Sequence, residues 1–110
     1  MPHYLVQWRF SADNIRSLVK TPDSRIDIVR KGVESFEGRL HHYFFAFGEY
    51  DGVVICEFPD HERCVAFLAT VEAKGGVSAF KTTPLITPEE GMRAFQRASQ
   101  TDTPYRPALS

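Results

Sequence analysis

The chain has 110 residues, 43% of them hydrophobic and 25% charged, a length and balance suited to one folded domain and too short for two good cores. Thirteen Lys and Arg stand against fourteen Asp and Glu, for a net charge of −1. The basic residues are scattered, so neither a phosphate-tracking surface nor a nucleic-acid partner is expected. The longest apolar runs, Phe44 to Phe47 and Val53 to Cys56, fall far short of a bilayer span, and no signal-like segment opens the chain, so the expectation is a cytoplasmic protein with no membrane partner.

From His3 to Phe10, Tyr4, Val6, Trp8 and Phe10 alternate with His3, Leu5, Gln7 and Arg9, the period of a strand. Ser11 can cap a short helical turn through Ile15, Leu18 and Val19, which Thr21-Pro22 interrupts. A stronger helix is predicted from Asp23 to Phe36, with Ile26, Val29, Val33 and Phe36 as its inner stripe and Gly38 as its stop. Leu40 to Phe47 and Val53 to Phe58 read as two strands joined by the turn residues Gly48 to Gly52, a hairpin. Pro59-Asp60 opens another helix, whose face is Cys64, Phe67, Leu68 and Val71 and which Gly75-Gly76 ends; no helix follows these glycines, so they are not a phosphate loop. Val77 to Ile86 is a fourth strand, made an edge or a bend by Pro84. Thr87-Pro88-Glu89-Glu90 is a capping-box start for a short helix bearing Met92, Phe95 and Ala98. The domain is therefore placed at residues 1–98 and an extended, Pro-containing tail at 99–110.

Strands and helices in β-α-β-β-α-β order give an α+β fold in which two helices cover one face of a four-stranded antiparallel sheet. With strands this aromatic, the other face calls for cover, and a two-fold dimer stacking sheet on sheet supplies it. Cys56 and Cys64 read as two small buried apolar residues rather than a bridge, and their spacing matches no zinc or CxxC motif.

The segment Gly48-Glu49-Tyr50-Asp51, followed by Val53-Val54-Ile55 and preceded by an aromatic strand, resembles the signature from which GYD-domain proteins take their name. Phe10-Ser11 with Ile15-Arg16, Lys20 and Pro22 resembles that family's first helical region, and Thr87-Pro88-Glu89-Glu90 its usual end. The likeness runs from His3 to Phe95. A Trp-Thr pair is common in the family where this chain has Phe10-Ser11, and a glycine is common near His42. The resemblance implies a ferredoxin-like fold that pairs into a dimeric α/β barrel, and it carries over no catalytic residue.

Seven residues stand out as candidate ligand contacts: Trp8, Arg16, His41, His42, Tyr43, Tyr50 and Asp51. Tyr50-Asp51 sits at the hairpin tip, where the glycines and Asp51 also serve the turn itself. His41 and His42 are adjacent on a strand, so they are expected on opposite faces, one of them toward the barrel interior as an acid or base. Arg16 and Lys20 lie four apart and can clamp an anion. Trp8 with Tyr43 or Phe45 can wall an apolar pocket. His61 and Cys64 supply two ligands where a zinc site needs four, so no metal and no cofactor is expected. Three readings follow: a dimeric small-molecule binding or sensing protein, a cofactor-independent oxygenase or isomerase, and a protein-interaction module. Catalysis requires His41 or His42 to meet Tyr43 or Tyr50. Both pocket readings require an interior not filled by Phe44, Phe45, Phe47 and Trp8.

Overall fold

In the computed structural model, which describes residues 1–108, eight elements follow in order. They are β1 (His3–Phe10), α1 (Ala12–Lys20), α2 (Ile26–Ser35), β2 (Arg39–Phe45), β3 (Gly52–Glu57), α3 (His61–Lys74), β4 (Val77–Leu85) and α4 (Pro88–Gln100). The strands form one antiparallel sheet in the order β2-β3-β1-β4, the ferredoxin-like arrangement. Pro84 is tolerated because β4 is an edge strand.

The first helical region differs from expectation. α1 is a full nine-residue helix rather than a turn, capped by Ser11 Oγ, which accepts from the Asn14 N–H at 3.1 Å. α2 begins three residues later than predicted. The Asp23 carboxylate accepts from the Arg25 N–H at 2.9 Å and holds a turn, and Arg25 itself is left-handed at φ 67°. β2 ends at Phe45, two residues early.

Alternation along β1 and β3 builds the core. Tyr4, Val6 and Trp8 point to the helix side with Val54 and Cys56, and meet Val33 of α2, Cys64 and Phe67 of α3, and Phe58. Each such large side chain contributes about 1.5–3 kcal/mol relative to exposure. Leu5, Gln7, Val53 and Ile55 take the outer face with His42 and Phe44. Two irregularities break the ladders. In β2 the register slips between Leu40 and His42, so His41 is an extra residue. Along β1 and β4 the slip lies between Gln7 and Arg9, near the left-handed Ala79.

α4 carries the predicted capping box: Thr87 Oγ1 accepts from the Glu90 N–H at 3.1 Å, and Glu90 Oε1 from the Thr87 N–H at 3.0 Å. It buries no side chain, and Met92 and Phe95 lie exposed. The helix runs two residues into the stretch expected as tail, and positions 109 and 110 of that tail lie outside the described residues. Among the described residues no helix is long and apolar enough to cross a membrane.

Candidate functional site

A cleft of about 350 Å³ opens between the helix face of the sheet, α2 and α3. Its floor comes from the alternation already described: Val6, Trp8 and Phe10 of β1, Tyr43 of β2 and Val54 of β3. Val29 and Phe36 of α2 and Phe67, Leu68 and Val71 of α3 form the walls. The aromatic residues that could have filled this space lie elsewhere. Phe44 is 58% exposed on the outer face, Phe45 is 52% exposed, and Phe47, beyond the strand end, is fully exposed. Trp8 alone of that set is buried.

Polar groups are few. The Trp8 indole N–H is buried without a hydrogen-bond partner among the described residues. Burial raises the Tyr43 phenol above its ordinary pKa, while the Arg25 guanidinium draws it back and Asp23 pushes it up. Arg25 and Lys74 line the cleft, no carboxylate residue does, and neither cation makes an ion pair among the described residues. Arg25 stands just before α2 and Lys74 is the last residue of α3, so the two helices that wall the cleft each bring one cation to it.

The other expected contacts sit outside it. Arg16 pairs with Asp13 on the exposed side of α1. Tyr50 is half-buried at the hairpin tip and does not line the cleft. Asp51 is a structural tie: its carboxylate accepts from the Phe10 N–H at 2.7 Å, its N–H donates to the Trp8 carbonyl at 2.8 Å, and its carbonyl accepts from Ala46 at 2.8 Å. This fastens the hairpin loop to the end of β1.

His41 and His42 do not take opposite faces. The extra residue at His41 cancels the alternation, and both imidazoles lie on the outer face. His42 stacks on Phe44 with centroids 6.1 Å apart, and His41 donates or accepts at Glu57, Nε2 to Oε1 3.0 Å. Tyr43 faces the helices, so the sheet separates it from both histidines. A second histidine contact was hidden in the sequence: the Tyr4 hydroxyl meets His61 Nδ1 at 2.6 Å, which ties α3 to the central strand. Burial raises the Tyr4 pKa, with Cys64, Asp60 and Cys56 adding to it. Cys56 and Cys64 are free and buried.

Solved structures show the same fold at low identity. MtbAldR aligns with a TM-score of 0.59 and 17% identity over 78% of this chain and 52% of that one, so the chain spans about half its length. TTHA0845 from Thermus thermophilus aligns at 0.53 with 15% identity, covering 79% of this chain and 95% of that one. The hypothetical protein PHS023 from Pyrococcus horikoshii aligns at 0.53 with 14% identity, covering 82% and 95%. No curated protein matches the chain. The GYD domain family matches residues 4–95, which takes in the sheet, α2 and α3, the floor and walls of the cleft and the Gly48–Asp51 turn: the chain belongs to the GYD domain family.

Proposed function

We propose that the protein is a homodimeric small-molecule binding or sensing protein, with its ligand in the cleft between α2, α3 and the sheet. The carrying observation is an apolar aromatic cleft of about 350 Å³ lined, among the described residues, by two cations without an ion pair and by no acidic residue. Such a site suits a small, largely apolar molecule with an anionic head. The catalytic alternative needed a histidine beside Tyr43 or Tyr50, and the β2 bulge turns His41 and His42 to the opposite side of the sheet from Tyr43. Two free buried thiols fit a cytoplasmic setting.

Trp8 is the one tryptophan of the chain, so its fluorescence reports on the cleft. 2-Naphthoate is the probe and 2-ethylnaphthalene its uncharged counterpart. Both are expected to perturb Trp8 emission saturably. Arg25→Ala with Lys74→Ala is expected to weaken naphthoate about tenfold, the scale of one charge-assisted hydrogen bond, and to leave ethylnaphthalene unchanged. Absence of a saturable signal and of calorimetric heat with either probe would sink the reading.

The dimer rests on the outer sheet face, where Leu5, Val53, Ile55 and Phe44 form an apolar surface that no helix among the described residues covers, and on the exposed Met92 and Phe95 of α4. Sedimentation velocity is expected to give twice the chain mass, and Phe44→Glu to give the single chain mass. A monomer at every concentration tested would remove the dimer and leave the cleft reading standing.

A further inference from the structure

The bulge in β2 gathers metal-binding donors on the outer face, where the sequence suggested none. Arg39, Glu57 and His3 are in register across β2, β3 and β1, and the extra residue His41 comes alongside them. His41 Nε2 lies 3.0 Å from Glu57 Oε1, and His3 Nε2 lies 3.7 Å from Glu57 Oε2. The two imidazoles stack with centroids 5.4 Å apart and planes 14° from parallel. One donor atom from each of the three residues falls within 4.8 Å of the others.

We propose that His3, His41 and Glu57 form a binding site for a divalent transition-metal ion of the Zn²⁺ and Co²⁺ class. Two imidazoles and one carboxylate are the donor set that such ions take, and ligand atoms held at about 2.1 Å from a common metal lie roughly 3.0–3.4 Å apart. The His41–Glu57 separation already has that value, and the remaining gaps, none over 4.8 Å, close by at most about 1.8 Å through side-chain rotation on a rigid sheet. Glu57 is only 8% exposed although it is a carboxylate, and Arg39, the one permanent cation paired with it among the described residues, stands off at 3.9 Å. A metal balances the carboxylate held in that buried place and replaces the His41–Glu57 contact with two metal–ligand bonds. An open recess of about 190 Å³ lined by His3, Leu85, Ile86 and Thr87 leaves room beside His3 for water or an exogenous ligand at the remaining coordination positions.

The test is titration of the tag-free chain at pH 7.5 with Co²⁺, followed by visible absorption, and with Zn²⁺, followed by calorimetry. One ion per chain is expected, with dissociation constants on the order of 10 µM or tighter. His3→Ala and His41→Ala are each expected to weaken binding at least about 30-fold. His61→Ala, which removes the Tyr4 partner, is expected to leave metal affinity unchanged. Circular-dichroism melts confirm that the surface variants fold. Three results overturn the proposal: no saturable Co²⁺ spectrum or Zn²⁺ heat up to about 1 mM, well beyond ordinary protein–metal affinities; binding that persists in the His3→Ala/His41→Ala double variant; or intense sulfur-to-cobalt charge-transfer bands, which place the ion on Cys56 and Cys64.

Discussion

Gly52→Ala is expected to destabilise the protein by about 3 kcal/mol, the upper end of the range for forcing one extra carbon into a packed site. Gly52 faces Trp8 across β1 and β3, and a Cβ built there would stand 2.3 Å from Cζ2 and 2.5 Å from Cε2 of the indole. The ring cannot lift away freely. It packs on Tyr43 at 5.9 Å and on Phe10 at 6.3 Å, and Asp51 fixes the backbone of both strands beside it. The displaced indole moves into the cleft, so the variant also loses naphthoate affinity. Urea unfolding checks the stability, and a double-mutant cycle checks the cause: Trp8→Phe shrinks the ring, and the cost of Gly52→Ala is expected to fall by at least half in that background. An equal cost in both backgrounds would refute the contact.

Alkaline pH is expected to erode stability steeply from pH 9 upward. Burial pushes the Cys56 thiol from its ordinary 9.0 up to about 12, helped by Cys64, and burial pushes Cys64 up to about 11. Burial also raises Tyr4 and Tyr43. An acid whose pKa is higher in the folded state keeps a proton that the unfolded chain releases, so rising pH favours the unfolded chain. The contribution of these groups is intact below pH 9 and is lost progressively between 9 and 12, the interval between the ordinary and the raised thiol values. Urea midpoints at pH 7.5, 9.5 and 10.5 are expected to fall in that order. The Cys56→Ala/Cys64→Ala double variant is expected to show a shallower decline. A flat wild-type series, or native thiols that react with a disulfide reagent as fast as free cysteine, would show that the thiols are not shielded.

The strands and both covering helices were legible because their periods are long and regular. Tyr4, Val6 and Trp8 announce β1, and Val29 with Val33 announces α2. Caps were legible too, since Thr87 and Glu90 satisfy each other locally. What escaped depends on events between distant segments. Strict alternation put His41 and His42 on opposite faces, and one inserted residue in β2 overturned it; nothing within Arg39 to Phe45 marks a bulge. Trp8 and Tyr43 were identified as pocket walls from their strand positions. Arg25 and Lys74 were not, because charged residues at helix ends look solvated until the topology brings those ends to the cleft. Glu57 carried the one available signal, a carboxylate closing an otherwise apolar strand. Gly52 looked like a turn former, yet its need arises from an indole 44 residues away in sequence.

The place of β1 in the middle of the sheet also governs the order in which the chain can fold. β2 and β3 are neighbours in sequence and can pair as a local hairpin within microseconds. β1, which precedes the other three strands of the sheet, is hydrogen-bonded on one side to β3 and on the other to β4, with His3 opposite Glu57 and Leu85. Its second edge stays open until β4 has left the ribosome, and closing it means joining residues as far apart as Phe10 and Val77 or His3 and Leu85, at a high entropic cost. During synthesis the nascent chain therefore displays one open edge of its central strand, a state prone to edge-to-edge aggregation, and sheet closure is expected to be the slow step of folding.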